Sequence, residues 1–172
     1  LDLKAWAQAI NADTKLVFFE SISNPTLEVI DIAAVAGLAH SVGALVVVDN
    51  VFSTPVYSKA IPLGADVVIY SATKHIDGQG RGLGGVILGS KEIIRSIVEP
   101  FMKHTGGAMS PFNAWMMVKS LETLYLRVRA QVATATELAG LLEYRGDLER
   151  VIYPGLPSHP QFALTQVQMG AG

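Results

Sequence analysis

The run Val67-Val68-Ile69-Tyr70-Ser71-Ala72-Thr73-Lys74-His75 carries an apolar strand into two hydroxyls and an amine. A Lys placed where a strand runs out into a crevice can form an imine with an aldehyde. Ser71 and Thr73, beside it, can donate hydrogen bonds to a phosphate. An aldehyde that carries a phosphate describes pyridoxal phosphate (PLP), whose protein partners are such a Lys and an acid on the pyridine nitrogen. The acid is present as Asp49, at the end of Ala44-Leu45-Val46-Val47-Val48-Asp49-Asn50. A carboxylate there would keep the ring nitrogen protonated, because it favours the charged form of its neighbour. Lys74, once displaced by a substrate amine, would then act as general base and acid. Taken singly, each residue has a plainer reading, Asp49 as a cap or turn former and Lys74 as a solvated lysine. A lysine, an acid and hydroxyls at adjacent strand tips favour the cofactor.

These groups need strands to hold them. Leu16 to Phe19 and Leu45 to Val48 are continuous apolar runs, the pattern of strands buried on both faces, and Ala65 to Ala72 is a third strand. Leu1 to Ile10 has Leu3, Trp6, Ala7 and Ile10 at helical spacing, and Asp31 caps a second helix that ends before Gly43. Ser21 to Thr26 reads as loop, since Pro25 disfavours helix at Asn24. Gly82, Gly84 and Gly85 lead into a strand at Val86 to Leu88, and Lys91 to Lys103 is predicted helical around Ile93, Ile94, Ile97 and Val98. Pro111 opens a long helix to about Tyr144, with Trp115, Val118, Leu121, Tyr125, Val128 and Val132 along one side. A short strand at Val151 to Tyr153 follows, then a proline loop and no evident final element. The alternation predicts an α/β fold with a mainly parallel sheet. Ligands of such sheets bind outside the carboxyl ends of the strands. Three polar tips would meet there: Ser23-Asn24, Asp49-Asn50 and Ser71-Thr73-Lys74.

Other signals narrow the possibilities. Half of the 172 residues are hydrophobic and 16% are charged, an interior-rich composition for a chain of this size. Net charge is -2 with the signs interspersed, which gives no electrostatic footprint for nucleic acid or an anionic membrane. No apolar run is long enough to span a membrane. Cysteine is absent, which removes disulfides, thiolate metal sites and a Cys nucleophile, and fits a cytoplasmic location. Leu1 in place of an initiator Met suggests a piece of a longer chain. Gly80-Arg81-Gly82-Leu83-Gly84-Gly85 matches a dinucleotide fingerprint but precedes a strand, where the fingerprint must follow one. His40, His75, His104 and His159 lack metal-ligand spacing, and His75 reads as structural. Arg81 reads either as a clamp for a carboxylate or as a loop arginine in water.

The segments Glu20-Ser21-Ile22-Ser23-Asn24-Pro25, Val48-Asp49-Asn50 and Ser71-Ala72-Thr73-Lys74 together resemble the Cys/Met-metabolism family of PLP enzymes, the trans-sulfuration group. The resemblance implies the fold-type I transferase architecture. Residues 1–110 would belong to the large PLP-binding domain, 111–145 to a long connecting helix and 146–172 to the start of a small C-terminal domain. It implies Lys74 as the residue bonded to the cofactor, Asp49 on the pyridinium, and Ser71 and Thr73 on the phosphate. Asn24 would lie near the ring hydroxyl and the substrate carboxylate. His75-Ile76-Asp77-Gly78-Gln79-Gly80-Arg81, Ser110-Pro111-Phe112-Asn113-Ala114-Trp115, Leu121-Glu122-Thr123-Leu124 and Tyr153 to Gln161 are similar to the branch that adds sulfide to O-succinylhomoserine, giving homocysteine and succinate for methionine biosynthesis. Cystathionine γ-synthase or γ-lyase chemistry on the same scaffold, or a catalytically incompetent fragment, are the alternatives. A homotetramer with active sites shared between subunits is implied as well. So are groups beyond these segments: a Tyr-Arg pair from a neighbouring subunit, a Gly-Met phosphate loop, a ring-stacking aromatic and a C-terminal Arg.

Overall fold

The computed structural model describes residues 2–170. Its centre is a four-stranded sheet in the order β1-β2-β3-β4, with β1 Leu16–Glu20, β2 Leu45–Asp49, β3 Val67–Ser71 and β4 Gly85–Gly89. The first three strands run parallel and β4 is antiparallel to β3. Helix α1 (Leu3–Ala9) is started by the Asp2 carboxylate, which accepts from the Lys4 N–H at 2.8 Å. Helix α2 (Ile32–Ser41) is capped by Asp31 through the Ala34 N–H at 2.9 Å and closes ahead of Gly43, whose φ of 77° suits glycine. Leu1, assigned to the first helix from its sequence, lies outside the described residues.

Side chains alternate across each strand, and α2 covers one face of the sheet. Val17, Phe19, Val46, Val48, Val68 and Tyr70 point into the core with Ile32, Val35, Ala36 and Ala39 of α2. On the opposite face Leu16 and Phe18 are about half exposed. Burial of β1 on both faces, expected from its unbroken apolar run, is therefore not what these residues show. An apolar run records what a strand can bury, and α2 supplies only one of the two layers.

Beyond the short helix α3 (Thr54–Tyr57), the segment after β4 is helix α4 (Lys91–Ile93), a π turn at Ile94–Val98 and helix α5 (Glu99–Thr105). The single helix expected there is widened one turn ahead of Pro100, which has no N–H to continue the ladder. Helix α6 (Pro111–Glu143, 33 residues) starts at Ser110, whose hydroxyl accepts from Asn113 N–H at 3.2 Å. Its buried stripe is Met116, Met117, Ser120, Leu124, Val128 and Ala139. Trp115, Val118, Leu121 and Tyr125, expected on the packed side, are exposed, because the stripe is rotated by about one residue towards Ser120. Gly82 and Gly84 let the loop before β4 lie against this stripe: a Cβ at either would collide with Met116, Met109 or Met117.

Two expectations for the last segment are corrected. Val151 to Tyr153 joins no ladder; Tyr153 instead bonds to Thr136 of α6 through its hydroxyl at 3.0 Å. A final element exists, helix α7 (Phe162–Met169), closed by Gly170 at φ 71°. Among the described residues no helix is long and apolar enough to cross a membrane, and no cluster of His, Cys, Asp or Glu could hold a metal.

Candidate active site

The strand register builds the site. Glu20 is paired with Asp49, and Asp49 with Ile69. With period-two alternation, Glu20, Asp49, Ile69 and Ser71 all project from the sheet face that α2 leaves open, at the carboxyl ends of the strands. The chain then leaves β3 in a π-helical turn, Ala72–Ile76, in which Lys74 departs from helical dihedrals (φ -88°, ψ -114°). Glu20, Ile22, Asn24, Asp49, Val51, Phe52, Ser71 and Lys74 line one pocket of about 150 Å³.

Four of the five residues expected from the sequence thus meet: Asn24, Asp49, Ser71 and Lys74. Thr73 does not. Its hydroxyl faces the start of β4, accepting from the Gly84 N–H at 3.3 Å and reaching Gly84 O at 3.5 Å. Asn50, grouped with Asp49 as a polar tip, turns the other way. It is fully buried and its amide donates to Ser58 O and the Tyr70 hydroxyl, both at 2.9 Å. Alternation along the chain separates it from Asp49.

Glu20 is the site residue that sequence reasoning passed over, although it stands in the same motif as Asn24. Its carboxylate accepts from the Asn24 backbone N–H at 2.7 Å, folding the loop after β1 over the pocket. The available signal was positional: the last residue of a strand parallel to the one ending in Asp49. The two carboxylates interact. Burial chiefly pushes the Asp49 carboxyl above its ordinary value, the Val51 N–H at 3.0 Å opposes this, and the charge of Glu20 adds to it. Lys74 forms no ion pair among the described residues, so its amine is uncommitted.

Arg81 holds a carboxylate of its own loop, that of Asp77, instead of lying free in water. Its Nε donates to Asp77 Oδ1 at 3.0 Å, its backbone N–H to Asp77 Oδ2 at 2.7 Å, and its guanidinium reaches Ser120 of α6. It braces a loop. His75 turns away from Lys74 into an apolar cavity of about 240 Å³ lined also by Val128, Gln131, Tyr153 and Met169. Burial there lowers its pKa, which fits the structural reading. His40 is likewise committed, to Asp66 at 2.9 Å.

The residues present suit PLP. An uncommitted amine, a carboxylate, a hydroxyl and an apolar wall from Ile22, Val51 and Phe52 are the donor set an aldehyde-bearing pyridine phosphate needs. A volume of about 150 Å³ falls below the roughly 300–1,000 Å³ of ordinary ligand pockets.

Comparison with known proteins agrees with that donor set. The family model "Cys/Met metabolism PLP-dependent enzyme" matches residues 1–172. The chain is 53% identical over 171 residues to O-succinylhomoserine sulfhydrylase of Mycobacterium tuberculosis, covering 99% of this chain and 42% of that protein. The same identity holds over 167 residues with O-succinylhomoserine sulfhydrylase of Pseudomonas aeruginosa, covering 97% of this chain and 41% of that one. Among solved structures, cystathionine γ-lyase from Lactobacillus plantarum in complex with L-serine superposes with a TM-score of 0.95 at 30% identity. That match covers 99% of this chain and 45% of the other. The chain therefore spans less than half the length of these relatives. Family match, shared fold and strand-tip chemistry agree: this chain belongs to the Cys/Met-metabolism family of PLP-dependent enzymes.

Proposed function

We propose that this chain contributes the lysine-bearing wall of an active site that exchanges the γ-substituent of an activated homoserine ester. O-succinylhomoserine and sulfide would give homocysteine and succinate. The observation that carries this reading is the meeting of Lys74, Asp49, Ser71 and Asn24 in one pocket at the carboxyl edge of the sheet. The 53% identity to two O-succinylhomoserine sulfhydrylases supports the choice of substrate.

PLP, when bound, supplies the electron sink that stabilises negative charge at Cα and then at Cβ of the amino-acid substrate. The Lys74 Nζ would hold the cofactor and, as the free amine, would move protons at Cα and Cβ of the substrate. Asp49 holds the proton on the ring nitrogen; its raised proton affinity in the absence of a cationic partner gives it reason to accept one. Ser71 donates to the phosphate. Thr73 would join it only after its side chain turns away from Gly84, which now holds its hydroxyl. Glu20 holds the loop that presents the Asn24 amide to the ring hydroxyl and the substrate carboxylate. The exposed Phe112, Trp115 and Leu126 of α6 support assembly into a homotetramer.

Likeness to a cystathionine γ-lyase favours one second reading, γ-elimination on the same wall. Products separate the two: a lyase releases ammonia and a 2-oxo acid, and a sulfhydrylase releases succinate only when sulfide is present. The first experiment incubates the protein with PLP, reduces it with borohydride and maps pyridoxyl groups by mass spectrometry. Selective labelling at Lys74 is expected. Labels scattered over the lysines, or absent from the complete protein, would overturn the reading.

A further inference from the structure

We propose that Arg127 is a positioning residue for Lys74, acting from helix α6 through the backbone of the turn that carries the amine. This rests on reading Lys74 as the cofactor-bearing lysine. The turn is shaped by a few bonds. Asp77 N–H donates to Ala72 O at 2.8 Å and Gly78 N–H to Lys74 O at 2.7 Å, which leaves the carbonyls of His75 and Ile76 without a turn partner. Arg127 meets both. Its guanidinium donates to His75 O at 2.9 Å and to Ile76 O at 3.2 Å, while Nε reaches Thr123 Oγ1 at 3.1 Å and Nη2 reaches Ser120 O at 3.0 Å. One planar cation thus ties the two carbonyls just after Lys74 to one turn of a 33-residue helix.

The surroundings are built around it. Gly78 lies so close that a Cβ would overlap the guanidinium, and its φ of 71° also suits glycine. A second guanidinium, that of Arg81, secures the next stretch: it binds the fully buried Asp77 and meets Ser120 at the hydroxyl. Ser120 is therefore the common anchor, its carbonyl accepting from Arg127 and its hydroxyl from Arg81. Arg127 lines no part of the pocket that holds Lys74. Its contacts with the turn that carries the amine are to backbone carbonyls.

The test compares wild type, Arg127→Ala and Arg127→Lys as holoproteins. Three quantities are read: hydrogen exchange at the Asp77 and Gly78 amides, the circular dichroism of the cofactor's visible band, and the rate at which the α-proton of L-alanine exchanges with deuterium oxide. Alanine has no leaving group, so it isolates the proton transfer assigned to Lys74. Arg127→Ala is expected to speed exchange at both amides, change the visible dichroism and lower the proton-exchange kcat about tenfold to a hundredfold with KM little changed. Arg127→Lys, able to reach one carbonyl at a time, is expected to recover part of each. It also decides the matter should the alanine variant fail to fold. A folded Arg127→Ala with wild-type dichroism, kcat and amide exchange would overturn the proposal, as would a kcat loss fully accounted for by loss of folded protein; should the alanine variant not fold, the same wild-type values in Arg127→Lys would overturn it. A wild-type protein that traps no pyridoxyl at Lys74 would instead sink the functional reading itself.

Discussion

Asp49 is held in the folded chain in a state it does not prefer. Burial raises its carboxyl, the Val51 N–H offsets part of this, and Glu20 adds repulsion. A raised folded-state value means that the folded chain binds this proton more tightly than the unfolded one. The stability it contributes is thus present below the ordinary carboxylate value and is lost as pH rises through the raised one. Asp49→Asn keeps an oxygen for Val51 and removes the penalised charge. In the cofactor-free protein it should raise the thermal midpoint at neutral pH by about 1–3 °C, with the gain vanishing in acid. The same variant should weaken PLP binding about tenfold or more, the worth of a hydrogen bond to a charged group. Equal midpoints at neutral pH, or unweakened PLP binding, would contradict this account of Asp49. That Lys74, Asp49 and Ser71 share one pocket was legible because an apolar run that stops in polar residues marks a strand tip. Thr73 was not. Beyond the strand the two-residue alternation ends, and the turn, not the spacing, decides where a hydroxyl points.

Elements were legible where a local cause fixes them and were misjudged where a neighbour does. Asp31 and Gly43 bound α2 because capping is decided within a few residues. The buried side of α6 depends on what lies against it, and Arg81 and Arg127 turn Ser120 inward where the apolar count favoured Trp115 and Leu121. The entry to β3 shows the same dependence. Gly64 adopts φ 110°, and a Cβ there would stand 2.7 Å from that of Ala36 on α2. Both the backbone and the contact refuse a side chain. Gly64→Ala is expected to cost about 2–3 kcal/mol by overpacking and backbone strain together. Urea unfolding would show it as a lower midpoint at unchanged slope. A loss under about 0.5 kcal/mol would mean that β3 and α2 can separate freely.

At the scale of the molecule, the last helix returns to the segment that launches α2. Gln168 of α7 accepts from the Ile32 N–H and donates to Ile30 O, both at 3.1 Å, across 136 and 138 residues. Gln161 approaches the Val29 N–H at 3.4 Å from the start of the same helix. Nothing local announces such a contact: a glutamine on a short helix reads as solvated surface, and the pairing exists only once both segments are folded. The helix itself was more accessible, since Phe162, Thr165 and Met169 keep helical spacing and Gly170 supplies the left-handed stop. Ile32 is the first residue of α2, so its N–H has no partner within the helix, and Gln168 fills that need from outside. Gln168→Ala should therefore strand a donor and an acceptor at once, destabilising the chain by about 1–2 kcal/mol. Gln168→Glu keeps the acceptor for Ile32 but sets a carboxylate oxygen against the Ile30 carbonyl, so it too should destabilise the chain. The Ile32 amide reports the difference directly: its hydrogen exchange should accelerate in the alanine variant and stay nearly unchanged in the glutamate one. If both variants accelerate it equally, the hold on α2 comes from packing of α7 as a whole rather than from this amide.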